Sequence, residues 1–199
     1  MGKIRIAITG GIGSGKSLAM QYISKIGYPI FSCDEIYKDV IQSKEYIDQI
    51  ALLCPNAVIN GKIDRKKLAE YMFSNKELRN QINHIAHPLI MENLYVQMDK
   101  SASDLVFAEV PLLFEGNFEG KFDKVIYIYR DKDTRIENVK LRDGISKTEI
   151  EQRMSAQFDP DCEAGKLRLQ NSNIYVIKND GTPEILNEKI SDFIALVKQ

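Results

Sequence analysis

Residues 10–17 read Gly-Gly-Ile-Gly-Ser-Gly-Lys-Ser and stand directly behind the alternating apolar run Ile4, Ile6, Ile8. They complete the pattern G-x-x-x-x-G-K-[ST] in the context that gives it meaning, a strand before it and a helix-forming stretch, 18–26, after it. Gly11, Gly13 and Gly15, with Gly10, let successive backbone N–H groups turn inward around an anion, because a side chain there would block its close approach. The N–H groups of Gly11, Ile12, Gly13, Ser14 and Gly15 form the expected cradle. Lys16 would reach the terminal phosphates as a point charge, the Ser17 hydroxyl would hold Mg²⁺, and the following helix would turn its positive end toward the ligand. A glycine-rich turn that merely joined a strand to a helix would not need this spacing. The implied chemistry is that of a nucleoside triphosphate, with ATP and Mg²⁺ expected.

Strand-like runs at 4–9, 29–32, 105–110, 125–129 and 174–177 are separated by longer helical stretches. Such spacing demands crossover connections, and hence an α/β fold with a five-stranded parallel sheet flanked by helices. In a sheet of this kind the ligand crevice lies beyond the carboxyl ends of the strands, so the residues that follow each strand are the candidates. The 199-residue chain suits a single phosphate-loop domain. Its expected core comprises 1–34, 105–130 and 173–199. Residues 35–104 exceed what a simple crossover needs and predict a helical insertion that grips a second substrate, including helices at 65–73 and 76–98, with a turn at Asn60-Gly61 and an interruption at Pro88. Residues 131–172 predict a mobile helical lid, whose arginines are mostly solvated surface.

Asp34 follows the second strand and is placed to accept a hydroxyl proton, although the same position suits the N-cap of a helix over 35–41. Glu109 closes the apolar run before it and stands where a carboxylate on the Mg²⁺ side of a phosphate-loop enzyme is needed; hydrogen bonding to neighbouring loops is the alternative.

Other function classes fit less well. A net charge of −1 and a pI near 6.2, with cations dispersed among acids, leave no electrostatic footprint for nucleic acid. No apolar run approaches membrane-spanning length and the N-terminus reads as a strand, so a cytoplasmic protein is expected. Cys33, Cys54 and Cys162 are odd in number and far apart, which predicts reduced and mostly buried thiols, and His84 and His87 lack the companions of a zinc site. A GTP-dependent switch would need Asn-Lys-x-Asp, which Asn75-Lys76-Glu77-Leu78 fails at its last residue, and an Asp followed by Gly three residues later, which the chain lacks. Another kinase of the same fold, acting on a nucleotide, nucleoside or small alcohol, is the nearer rival. Oligomeric state is not legible.

Further stretches tip the balance. With the loop at Ile8–Ser17 and Asp34 come His87-Pro88-Leu89-Ile90, Glu109-Val-Pro-Leu-Leu-Phe-Glu115, Arg142-Asp143, the spaced pair Arg153 and Gln157, and Val176-Ile-Lys-Asn179-Asp-Gly181. Together and in this order they resemble the dephospho-CoA kinases nearly end to end. The resemblance implies that Asp34 activates the ribose 3′-hydroxyl of dephospho-CoA and that Lys16 and Arg142 stabilise the migrating phosphoryl group. It further implies that Asn179 contacts the adenine of ATP, and that His87, Pro88, Leu112 and Glu115 line the acceptor site. The chain departs from the family pattern at Ser32-Cys33, at Leu18, at Asn173-Ile174, and at Arg135 and Asn138, where the usual residues are Gln and Arg.

Overall fold

The computed structural model describes residues 2–199. Its main sheet has five strands: β1 (Ile4–Thr9), β2 (Ile30–Ser32), β5 (Leu105–Glu109), β6 (Lys124–Tyr129) and β7 (Ile174–Lys178). They lie in the order β2-β5-β1-β6-β7, and β1 pairs in parallel with both β5 and β6, as β6 does with β7. At the β2 edge the Phe107 N–H donates to the Pro29 carbonyl at 3.1 Å. The strands are near-continuous apolar runs because both faces are covered. One face carries Ile6, Ile8, Phe107, Ile126 and Ile128, which pack with Ala19 and Ile23 of α1 (Lys16–Lys25) and with Leu186, Ile190 and Phe193 of α9 (Pro183–Val197). The other face presents Ala7, Val106, Ala108, Val125 and Tyr127, all buried. The chain runs from β1 to the β2 edge, returns to β5, and then crosses to β6, so the direction of winding reverses between the adjacent strands β1 and β5. Their carboxyl ends therefore flank the crevice of the sheet.

Two compact units result, one comprising the chain to Ile30 together with Ser101–Gln199, the other Phe31–Lys100. The first includes α6 (Lys132–Asp143), α7 (Lys147–Ser155) and α8 (Glu163–Leu169), the region expected as a lid. Ile136, Val139 and Ile150 bind α6 to α7 in a small core of their own, against which Ile12 packs.

In the second unit, α2 (Cys33–Val40), α3 (Lys44–Leu53) and α4 (Arg65–Ser74) pack onto α5 (Lys76–Lys100). A two-stranded hairpin, β3 (Val58–Ile59) with β4 (Lys62–Ile63), turns at Asn60-Gly61 with both residues at positive φ, which sustains the right-handed twist of the flanking strands. The expected interruption at Pro88 does not occur, since α5 runs through it for 25 residues. Proline forfeits one main-chain hydrogen bond, and the burial of Ile82, Ala86, Met91, Leu94 and Met98 along the same helix offsets that loss. The expected burial of the cysteines holds for Cys54 alone: Cys33 is half-buried, and Cys162 is exposed because it caps α8, its Sγ accepting from the Gly165 N–H. Among the described residues no helix is long and apolar enough to cross a membrane.

Ile126 is fully buried in β6 between two paired strands. Ile126→Ala is expected to cost about 2–5 kcal/mol, read as a lower urea midpoint at unchanged slope. On α5, burial first and the charge of His84 second hold His87 below the ordinary histidine pKa. The folded chain therefore binds fewer protons there than the unfolded chain, so the contribution is intact above the ordinary value and stability is lost as pH falls below it. His87→Gln should flatten this acid limb in denaturation measured from pH 8 to pH 5, about the range over which histidine titrates.

Candidate active site

The loop between β1 and α1 is a cradle whose shape follows from its glycines. Gly15 caps α1 in the left-handed conformation at φ 98°, and a Cβ there would collide with Asn179; a Cβ on Gly11 would strike the Arg135 guanidinium. At Gly15 no other residue fits without strain, whereas at Gly11 a side chain would have to displace the guanidinium. Since α1 begins at Lys16, the positive end of its dipole lies at the loop. The Lys16 Nζ donates to the Gly10 carbonyl at 2.6 Å and to that of Gly11 at 3.2 Å, so the ammonium rests on the rim of the cradle. Ser14 is buried, and its Oγ has no hydrogen-bond partner.

Four side chains hold the crest of this loop by its backbone. Gln157, just beyond α7, accepts from the Ile12 N–H at 2.8 Å, and the Arg135 Nε donates to the Ile12 carbonyl at 2.9 Å. Asn138, three residues along α6 from Arg135, donates to the Gly13 carbonyl at 3.3 Å, and Asn179, after β7, donates to that of Ser14 at 2.8 Å. Asn179 is itself fixed, its N–H donating to the Tyr129 carbonyl at 2.8 Å. Carbonyls of the crest are thereby turned outward to side-chain donors.

Beside the loop a narrow pocket is lined by Thr9, Gly10, Gly11, Glu115, Tyr127 and Gln157 together with Phe114 and Phe158. Phe114 stacks on Phe158 with centroids 4.2 Å apart, and the ring of Tyr127 meets both edge-on. The Phe158 N–H donates to the Glu115 Oε1 at 2.7 Å, so the segment 157–158 ties the loop after β5 to the crest. Burial pushes the Tyr127 phenol well above its usual range, which keeps it neutral.

The sequence expectations are met unevenly. Glu109 ends β5 in register with Ile8, two residues before the cradle begins, and Ser17 lies in the first turn of α1. A hydroxyl and a carboxylate are the hard oxygen donors that Mg²⁺ prefers, so this donor set fits the ion. Asn179 departs from its expected place at an adenine: it is 3% exposed, and its Nδ2 is committed to Ser14. Glu115 likewise serves the Phe158 backbone, while Leu112 is exposed. Arg142 is exposed and forms a fork with Asp143, at 2.7 Å from Nε to Oδ1 and 2.9 Å from Nη2 to Oδ2. Asn138 and Gln157 received no role from the sequence; Arg135, one turn from the usual arginine position, could still serve a phosphate, but its fixed fork geometry gave no assured equivalence. The signal for Arg135 was a helical stripe, Arg135-Ile136-Val139, that places the arginine on the buried side of α6.

In the second unit, Asp34 lies in the first turn of α2 and is exposed, while Ile36 and Val40 bury the opposite side of the helix. Ser32 occupies the N-cap position and its side chain makes no capping bond, so the capping alternative for Asp34 is not realised. His87 and Pro88 lie on α5, half-buried and exposed respectively.

Comparison with known proteins gives a consistent answer. Residues 4–184 match the family model of dephospho-CoA kinase. A dephospho-CoA kinase of Fusobacterium nucleatum is 31% identical over 191 residues, covering 94% of this chain and 95% of the relative. A solved structure from Thermus thermophilus superposes with a TM-score of 0.81 at 30% identity over 98% of both chains. A dephospho-CoA kinase structure from Campylobacter jejuni gives 0.68 at 26% identity, over 97% of this chain and 96% of that one.

Asn179→Ala should leave the buried Ser14 carbonyl without a donor and lower stability by about 1–3 kcal/mol. Hydrogen exchange at residues 11–15 should rise in the same variant; unchanged protection there would separate Asn179 from the bracing of the loop.

Proposed function

The chain belongs to the dephospho-CoA kinase family, ATP-dependent enzymes that phosphorylate a hydroxyl of dephospho-CoA in the last step of coenzyme A synthesis, and from that premise we propose the residues that carry the transfer. The acceptor is the ribose 3′-hydroxyl. The observation that carries the reading is the braced cradle with Lys16 at its rim, because phosphoryl transfer asks a protein chiefly for positioning and for neutralisation of charge.

ATP binds with its phosphates against the N–H groups of the loop other than those of Ile12, which donates to Gln157 rather than to the expected anion, and Ser14, which donates to the Gly11 carbonyl. Asp34 accepts the hydroxyl proton as the oxygen attacks the γ-phosphorus; the bond from that phosphorus to the β–γ bridging oxygen breaks, and ADP leaves. Lys16 offsets the charge that builds on the oxygens in flight. Arg142 joins it by exchanging Asp143 for phosphate, which costs little because solvent screens an exposed ion pair. Ser17 and Glu109 are the residues that would hold Mg²⁺, which would supply neutralisation of charge on the phosphate oxygens. His87, Pro88 and Leu112 are assigned to the acceptor. Asn179 serves the nucleotide indirectly, by holding Ser14 in place.

Support for Asp34 is its exposure on a helix that begins immediately after β2. Asp34→Asn should leave ATP binding intact and lower turnover by about 10²–10⁴-fold, the usual cost of losing a general base. ADP release should be measured with Mg-ATP and either dephospho-CoA or a panel of nucleosides and nucleoside monophosphates. Stimulation by dephospho-CoA alone is expected, and stimulation by a nucleoside instead would overturn the substrate assignment. Full activity in Lys16→Ala would remove the lysine from the mechanism.

A further inference from the structure

We propose that Arg135 is a phosphate-binding residue of this enzyme, its Nε holding the loop while its terminal nitrogens meet the phosphate chain of bound ATP. The inference rests on the cradle being the ATP site. Arg135 is 6% exposed and makes no direct ion pair with a described residue, Asp161 and Asp159 acting on it only through the field. A buried guanidinium without a carboxylate in contact carries a desolvation cost that folding alone does not repay. Burial accordingly pulls its pKa below the ordinary arginine value, against the opposing pull of Tyr127, Asp161 and other neighbours. A site that keeps such a charge dry is built to meet an anion, and the anion is indicated by where the fork lies. The guanidinium lies directly over Gly11, so closely that a Cβ there would push it aside.

Its position is imposed by three further contacts. The Nε is fixed on the Ile12 carbonyl, Asn138 on the same face of α6 is fixed on that of Gly13, and Ile12 packs against the core of Ile136, Val139 and Ile150. Helix and loop are registered to each other, so the two terminal nitrogens are delivered to the cradle without a search of rotamers. Arg142, solvated and already forked onto Asp143, has no comparable preorganisation.

The test uses Arg135→Gln, which retains an amide donor for the Ile12 carbonyl but removes the charge, and Arg135→Lys, which retains a charge. Calorimetric titration with inorganic tripolyphosphate and with ATP reads the phosphate site without dephospho-CoA. Arg135→Gln should bind both ligands about tenfold more weakly or worse, the scale of one hydrogen bond to a charged group. Its ligand-free melting temperature should be no lower than that of the parent protein, and Arg135→Lys should recover part of the affinity. Binding by Arg135→Gln within about twofold of the parent protein, less than such a bond supplies, would overturn the proposal. So would equal weakening in both variants accompanied by a lower melting temperature, which marks a brace alone. Should Arg135→Gln fail to fold, Arg135→Met takes its place under the same criteria. A parent protein that binds neither ligand would refute the ATP-site reading itself, whereas normal parent binding with indifferent variants refutes only the role of Arg135.

Discussion

A phosphate cradle works only if its N–H groups already point inward before the anion arrives, and here that condition is met by fixing the opposite side of the same peptides. The carbonyls of Ile12, Gly13 and Ser14 each accept a side-chain donor, from Arg135, Asn138 and Asn179. Each bond is worth only about 1 kcal/mol net, but together they remove conformational freedom that a glycine-rich loop would otherwise retain and would have to surrender on binding. The donors come from α6 and from the turn after β7, so the loop takes its shape only when both ends of the first unit are in place. Asn179 is in turn fixed to the Tyr129 carbonyl at the end of β6, which anchors the brace in the sheet.

The sheet matters to the site through its winding order. With β1 flanked by β5 and β6, residues that are a hundred positions apart become neighbours, as Glu109 and Ile8 do across the β1–β5 ladder. The aromatic trio of Phe114, Tyr127 and Phe158 closes one wall of the pocket with rings that cannot hydrate an anion, which lowers the local dielectric beside the glycine-rich loop. Glu115 contributes to that wall by holding the Phe158 backbone, a task a carboxylate performs well because it accepts from an N–H without needing a proton of its own.

Most of the fold was legible because its signals are local. All five strands of the main sheet were marked by apolar runs, and the Asn60-Gly61 turn by its dipeptide; the boundaries moved by one or two residues, as when α1 began at Lys16 rather than at 18. Pro88 was misread as a break because the burial that carries α5 through it is tertiary. The turn from β1 into α1 was legible, since its glycines answer to backbone geometry within eight positions. What surrounds it was not. Asn179 and Ser14 are far apart in sequence, and nothing in the local composition of either shows whether an asparagine amide faces a base or a main-chain carbonyl; that depends on how β7 is registered on β6.

The two arginines of α6 show why type and position in a motif do not settle a role. Arg142 carries the motif, Arg135 does not, and they lie seven residues apart, about two turns of one helix. Seven residues at 3.6 per turn bring side chains back to nearly the same angular position, so periodicity alone places both on one stripe. Packing separates them: Ile136 and Val139 bury the middle of α6 against α7, whereas Arg142 stands at the last turn, where the helix ends at Gly144 and solvent takes over. A guanidinium in water is already satisfied by Asp143 and by solvent, and its attraction for an incoming phosphate is discounted by what it must release. One held dry on the loop has no ion pair to break, and although Asp161 and Asp159 offset part of its field, an anion arriving there displaces less. The same gene segment thus supplies a solvated arginine that must be recruited and a buried one that is already in position.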